Sequence, residues 1–70
     1  MIDNELYTLL KVYECRNYTR AAQQLSITQP AVSQHIKALE GELGVKLFEH
    51  ANGELLVTRQ CEEAVRFAKK

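Results

Sequence analysis

Residues 26–40 read SITQPAVSQHIKALE, and this stretch decides how the fold is interpreted. Its apolar side chains, with one beyond its end, recur at the spacing of a single helix face: Val32, Ile36, Leu39 and Leu43. Such a row predicts a helix that packs one face against a core. The helix is predicted to end near Leu43, because Gly44 can adopt the left-handed conformation that commonly closes a helix.

Capping residues mark the start of this helix. Thr28 is a suitable N-cap, since its hydroxyl can accept a free N–H of the first turn. Pro30 stands in that first turn, where its missing N–H breaks no intrahelical hydrogen bond. Residues 26–28 are therefore predicted to form a three-residue turn between this helix and an earlier one.

Two helices are predicted before the turn. The first runs from about Asp3, as N-cap, to about Cys15, with apolar residues at helical spacing. The second is predicted to start at Thr19, a hydroxyl N-cap, and to bury Ala21 and Ala22. The small side chains of this pair allow another helix to cross at short distance.

A β-hairpin and a fourth helix are predicted after the third helix. Asn52-Gly53 suits a type I′ turn, because both central residues of that turn need positive φ. Thr58 then caps a helix whose apolar stripe includes Cys61 and Val65. The predicted fold is mainly α: a winged helix-turn-helix with a three-helix core, a two-stranded β wing and the start of a C-terminal linker helix.

Size and composition restrict the function. The 70 residues make one domain at most, with 9 basic and 9 acidic side chains. No apolar run approaches the roughly 20 residues of a membrane span, and the N-terminus lacks the cationic start of a secretory signal, so a cytoplasmic protein is expected. No nucleophile–base set, carboxylate pair or phosphate-cradling glycine loop is visible. The sequence therefore predicts no enzyme, no cofactor and no small-molecule site.

The cysteine and histidine residues do not predict a metal site. Cys15, Cys61, His35 and His50 lack the short spacings of zinc ligands. The two cysteines are expected to be half-buried apolar fillers. His35 lies near the apolar edge of the third helix and is expected to pack there, partly buried.

The face of the third helix opposite the apolar row is short, polar and free of acid. No carboxylate lies between Glu14 and Glu40. Amide and hydroxyl side chains suit the base edges of the major groove, which the second helix of a helix-turn-helix enters by its N-terminal part. The residues placed for this task are Gln29, Ser33, Gln34 and Lys37. Those near helix N-termini, where phosphates bind, are Thr19, Arg20 and Thr28.

Residues 18–50, YTRAAQQLSITQPAVSQHIKALEGELGVKLFEH, closely resemble the N-terminal domain of LysR-type transcriptional regulators. The shared pattern is an aromatic residue, Thr, a basic residue and Ala-Ala, then Gln-Pro-Ala, Leu-Glu, Glu-Leu-Gly and Leu-Phe-Glu. The resemblance implies a bacterial protein that binds double-stranded DNA sequence-specifically and controls transcription. By position it implies base-facing roles for Gln29, Pro30, Ser33 and Gln34, and phosphate contacts for Thr28 and Lys37.

The predicted wing departs from the pattern of that family. Relatives usually carry Arg at the position of His50 and often a basic residue near the tip, which here reads Ala51-Asn52-Gly53-Glu54. A wing in the minor groove normally relies on a cation, which a histidine supplies only when protonated. His50, Asn52 and Gly53 are therefore expected to contribute less to DNA binding than is usual.

The resemblance also implies a division of the chain and a dimer. Residues 1–58 would form the winged helix-turn-helix and residues 59–70 the start of the linker and dimerisation helix, with the effector-binding domain of relatives absent. Phe67 lies off the apolar stripe of its helix and is a candidate dimer contact. The full-length protein would form a homodimer or higher oligomer and bind an inverted-repeat operator. Neutral net charge leaves one alternative open: a winged-helix protein-interaction module without DNA binding.

Overall fold

The computed structural model describes residues 4–68, which form four helices and a two-stranded antiparallel sheet. The elements are α1 (Asn4–Cys15), α2 (Tyr18–Leu25), α3 (Gln29–Leu43), β1 (Phe48–Ala51), β2 (Glu54–Val57) and α4 (Arg59–Ala68). This order confirms the predicted winged helix-turn-helix. The predicted N-cap Asp3 lies outside the described residues.

The hydrophobic core is formed by one face of α3 together with α1, α2, the start of the wing and α4. Its buried side chains are Leu9, Val12, Ala21, Ala22, Val32, Ile36, Leu39, Leu47, Phe48, Cys61 and Val65. Ala21 and Ala22 are both buried, as predicted, and their small side chains allow α2 to approach its neighbours closely. Three residues of the apolar row of α3 thus lie in the core.

Leu43, the fourth residue of that row, does not lie in the core. Its side chain is 50% exposed, and it lines a shallow groove with Val45, Ala64 and Phe67. The predicted core position of Leu43 is wrong because α3, at 15 residues, is longer than α1 and α2, and its apolar row extends one turn past the core.

Both ends of α3 are capped as predicted. The hydroxyl oxygen of Thr28 accepts the N–H of Ala31 at 3.2 Å, and Pro30 stands in the first turn. Gly44 closes the helix with φ 70°, a conformation that costs a glycine little. The start of the polar face of α3 is therefore set by the three-residue turn before it.

The N-cap of α2 is Asn17, and the prediction of Thr19 is wrong. The Oδ1 atom of Asn17 accepts the N–H of Arg20 at 2.8 Å, and α2 begins at Tyr18. Asparagine ranks above threonine as an N-cap. Arg16, with φ 54°, turns the chain immediately before Asn17. The helix is therefore capped two residues before Thr19, the predicted cap.

The wing is a hairpin closed by a type I′ turn. Asn52 and Gly53 have φ 53° and 77°, as predicted. The strand register pairs Phe48 with Val57 and His50 with Leu55. These four side chains share one face of the hairpin, because neighbouring residues of a strand point to opposite faces.

Side-chain hydrogen bonds hold the wing to α3 and α4. The Oε2 atom of Glu40 accepts the N–H of Leu47 at 2.8 Å. The hydroxyl of Thr58 donates to the carbonyl of Lys46 at 2.6 Å and accepts the N–H of Cys61 at 3.1 Å. Thr58 therefore caps α4, as predicted, and also fixes the start of that helix against the chain that enters the wing.

The first turn of α4 packs against α1. Cys61 is fully buried, and burial raises the pKa of its thiol to about 11. Cys15 is half-buried as predicted, whereas Cys61 is buried more deeply than the predicted half-burial; both pack against the core. The hydroxyl of Tyr13 donates to Glu62 at 2.7 Å, and this hydrogen bond raises the pKa of Tyr13.

Replacing Asn17 with alanine tests the assignment of the N-cap. We expect Asn17→Ala to lower the free energy of unfolding by about 1 kcal/mol, because an N–H at the start of α2 loses its acceptor. Urea denaturation followed by circular dichroism measures the change. Thr19→Ala, two residues on, is the matched control and should stay within about 0.5 kcal/mol. Equal losses in both variants would contradict the assignment.

Candidate nucleic-acid interface

The outer face of α3 is open to solvent over its N-terminal half. The predicted DNA-contact residues on it are Gln29, Pro30, Gln34 and Lys37, which are exposed, and Ser33, which is half-buried. Val32 and Ile36 occupy the buried face of the same turns. The helix therefore presents amide, hydroxyl and ammonium groups outward from a backbone that is held by the core.

The N-terminal ends of α2 and α3 supply further hydrogen-bond donors. Thr19 and Arg20 are exposed in the first turn of α2. The oxygen of Thr28 accepts a bond as the N-cap of α3, which leaves its hydroxyl hydrogen to be donated outside the helix. Helix N-termini attract anions through their N–H groups and the helix dipole.

A cleft lies between these two helix ends and the wing. It is lined by Arg16, Asn17, Tyr18, Thr19, Gln29, Ser33, His50, Gly53 and Leu55. None of these nine residues carries a carboxylate, and several of their side chains can donate hydrogen bonds. The cleft therefore suits an anionic, hydrogen-bonding ligand.

The structure brings together five of the residues predicted from sequence. Thr19 comes from α2, Gln29 and Ser33 from α3, and His50 and Gly53 from the wing. The other predicted DNA-contact residues do not line the cleft, although all are exposed: Arg20, Thr28, Pro30, Gln34, Lys37 and Asn52. Phe67 lies on α4 in a separate groove.

Four residues of the cleft were missed by sequence reasoning. They are Arg16, Asn17, Tyr18 and Leu55. Asn17 could have been found because asparagine is a preferred N-cap, whose side-chain oxygen accepts the N–H three residues later, here that of Arg20. Nothing in the sequence indicated that Arg16 and Leu55, which are 39 positions apart, would line the same cleft.

Tyr18 joins the core to the cleft. Its ring lies edge-on to Phe48, with ring centroids 6.1 Å apart, and edge-on to His50 at 6.0 Å. Burial, and next the negative charges of Glu40 and Cys61, raise the pKa of Tyr18 to about 12. The ring of Tyr18 lies beside the imidazole of His50 as an uncharged neighbour, as any tyrosine is at neutral pH.

The acidic side chains near the wing do not enter the cleft. Glu49 pairs with Leu56 and Ala51 with Glu54 in the strand register, so that both wing carboxylates lie on the face opposite His50. Glu40 is engaged by the N–H of Leu47. A chain of zero net charge thus keeps an acid-free surface at the helix ends.

His35 is held within the fold. Its Nδ1 atom lies 2.8 Å from the hydroxyl oxygen of Thr8 on α1, and Thr8 is 2% exposed. This contact confirms the predicted packing role of His35. Within residues 4–68, no group of three His, Cys, Asp or Glu side chains could hold a metal ion.

The family is shown by a match over most of the chain. The model of the bacterial regulatory helix-turn-helix protein, lysR family, matches residues 4–62. The chain therefore belongs to the LysR family of bacterial regulatory proteins.

In the described part of the chain, no helix is long and apolar enough to span a bilayer.

Relatives and solved structures agree with this assignment. The chain is 37% identical over 65 residues to the uncharacterized HTH-type transcriptional regulator YxjO of Bacillus subtilis, covering 93% of this chain and 22% of YxjO. A LysR-family transcriptional regulator from Eggerthella lenta superposes with a TM-score of 0.94 at 44% identity, covering both chains completely. The BenM DNA-binding domain in complex with catB site 1 DNA superposes with a TM-score of 0.89 at 32% identity, covering 99% of this chain and 78% of that one.

These similarities define the class of function. The chain spans about a fifth of the length of the curated relatives it matches. Those relatives are transcriptional regulators and not enzymes. The alternative of a protein-interaction module without DNA binding is not supported, because similar domains are found in complexes with DNA.

Replacing Thr8 with valine tests the role of His35. We expect Thr8→Val to lower the free energy of unfolding by about 1–3 kcal/mol, since His35 loses its partner in a partly buried site. Thermal or urea denaturation measures the loss. Thr19→Val makes the same substitution at an exposed position and should cost clearly less. If the two variants are equally stable, the contact contributes nothing to packing.

Proposed function

We propose that this chain is the DNA-binding domain of a cytoplasmic bacterial transcriptional regulator and that it binds double-stranded DNA sequence-specifically with α3 in the major groove. One observation carries the proposal: the exposed amide and hydroxyl face at the start of α3 adjoins an acid-free cleft. In helix-turn-helix proteins this end of the second helix contacts base edges.

The proposed contacts divide into two kinds. Gln29, Pro30, Ser33 and Gln34 face the bases and the nearby backbone, because they occupy the outer face of the first turns of α3. An amide can bond adenine bidentately, and a hydroxyl can serve several bases. Thr19, Arg20, Thr28 and Lys37 bind phosphates, which position the domain without reading sequence.

The proposed contribution of the wing tip is small. Asn52 and Gly53 are exposed at the turn, and Glu54 adds a negative charge next to it. A minor groove attracts cations, and its negative potential repels a carboxylate. We therefore assign most of the affinity to the helices and place the wing near, rather than deep in, the minor groove.

We further propose a homodimer formed through α4, with residues 1–58 as the DNA-binding unit and residues 59–70 as the start of the dimerisation helix. Phe67 is 80% exposed and Leu43 is 50% exposed, and both line one groove with Val45 and Ala64. Adjacent large apolar side chains at a surface favour burial against a partner. Two such domains would bind half-sites of an inverted repeat about one helical turn apart.

A charge-removing variant tests DNA binding. We expect Lys37→Ala to weaken binding to all duplexes alike and to reduce the slope of log K against log salt by about 0.9, since one phosphate contact is lost. Fluorescence anisotropy at several salt concentrations measures both quantities. Arg66→Ala is the control. It removes the same charge from α4, where Arg66 lies near Tyr13 of α1, and should leave the slope unchanged. Wild-type affinity that does not depend on salt would contradict the proposed function.

A second variant separates base reading from phosphate binding. Gln34→Ala should reduce discrimination between the preferred base and others by about 1–3 kcal/mol, with little change in non-specific affinity. Selection from a randomised duplex pool, followed by binding assays, measures this preference. An unchanged preference would remove Gln34 from the base-facing set.

The proposed dimer has its own test. We expect Phe67→Gln to raise the dimer dissociation constant at least about tenfold, because each subunit loses the burial of an aromatic ring. Sedimentation equilibrium without DNA measures the constant. Leu56→Gln, at an exposed apolar position of the wing, is the control and should leave it unchanged. Equal effects, or none, would place the dimer contact elsewhere.

A further inference from the structure

We propose that His50 is a proton-dependent phosphate contact, so that the affinity of this domain for DNA rises as the pH falls through the range in which an imidazole gains its proton. The inference rests on the proposed DNA-binding function and assigns the wing a specific part in it. The contact would lie beside α3, separated from the turn of the wing by one residue pair, Ala51 with Glu54.

The position of His50 supports this role. The register pairs His50 with Leu55 on the face of the hairpin that points toward the helices. There the imidazole lies edge-on to Tyr18, with ring centroids 6.0 Å apart and an angle of 61° between the ring planes. It lines the same cleft as Gln29 and Ser33, which belong to the proposed base-facing residues of α3. A phosphate next to those residues would therefore be within the reach of His50.

The charges around His50 supply no internal counter-ion. The wing carboxylates Glu49 and Glu54 lie on the opposite face of the hairpin. From α2 the group that faces the imidazole is Tyr18, whose phenol is neutral over this pH range. The residues of α3 in the cleft do not titrate, and Glu40 of α3, whose charge acts on Tyr18, accepts the N–H of Leu47. The guanidinium of Arg16 stacks on the ring of Tyr13 at 4.9 Å and donates to the Tyr13 carbonyl at 2.8 Å. A protonated His50 in the free protein therefore has no carboxylate among the residues that line its cleft.

A DNA phosphate changes this balance. The proton comes from solvent, and the imidazolium then donates a charge-assisted hydrogen bond to a phosphate oxygen. DNA favours the protonated form, so the complex takes up the proton at a higher pH than the free domain does. Affinity is constant above that pH and rises as the pH falls below it. It becomes constant again once the free domain is also protonated. One unit of separation between the two midpoints corresponds to a tenfold change in affinity.

The experiment measures the binding of this chain to a short duplex from pH 5.5 to pH 8 at constant ionic strength. We expect the affinity of the wild type to be about three- to tenfold higher at pH 5.5 than at pH 8. The slope of log K against log salt should be steeper by about 0.9 at the lower pH, as one more phosphate is neutralised. A residue that only supports the fold would not change this slope.

Two variants at position 50 and one control complete the test. His50→Gln should bind with little pH dependence, and His50→Arg should bind tightly across the whole range. His35→Gln replaces the other histidine, which is bonded to Thr8 away from the cleft, and should keep the wild-type profile. If His50→Gln retains that profile, the proposal is overturned.

An NMR titration of the wild type gives an answer that does not depend on the stability of the variants. The resonance of His50 should move to a higher titration midpoint when DNA is added, while that of His35 stays in place. Equal midpoints for His50 with and without DNA would overturn the inference while leaving the proposed function intact. Absence of DNA binding at every pH would instead contradict the proposed function itself.

Discussion

The packing of α3 against the alanine pair of α2 is the constraint on which the rest of this structure depends. Val32 and Ile36 are buried on one side of α3, and Ala21 and Ala22 are buried on α2. Larger side chains at the alanine positions would separate the helices and expose the apolar row. Because one side of α3 is held so closely, its polar side is presented at the surface in a fixed orientation.

The wing takes its position from the same core. Phe48 is buried and contacts the ring of Tyr18, which contacts His50 in turn. Glu40 accepts the N–H of Leu47, and Thr58 donates to the carbonyl of Lys46, so that the two ends of the hairpin are fixed. The cleft between helices and wing is therefore formed by rigid elements, and its lining is brought together by contacts that lie beneath it.

A neutral chain can still present a surface suited to an anion. Burial, backbone hydrogen bonds and strand alternation keep the carboxylates of Glu40, Glu49 and Glu54 out of the cleft. A ligand at close range meets this local field rather than the net charge, because salt screens charges beyond about 10 Å. Zero net charge alone therefore does not favour a protein-interaction module over a DNA-binding domain.

The sequence by itself determined the element order, the capping of α3 by Thr28 and the type I′ turn at Asn52-Gly53, since periodicity, caps and turn residues act over a few neighbouring positions. It also indicated the polar face of α3. Only the tertiary structure decided that Asn17 caps α2, that Leu43 leaves the core, and that Arg16, Tyr18 and His50 meet in one cleft. These outcomes depend on where helices end against each other and on contacts between residues far apart in the chain, and no local pattern encodes such distances.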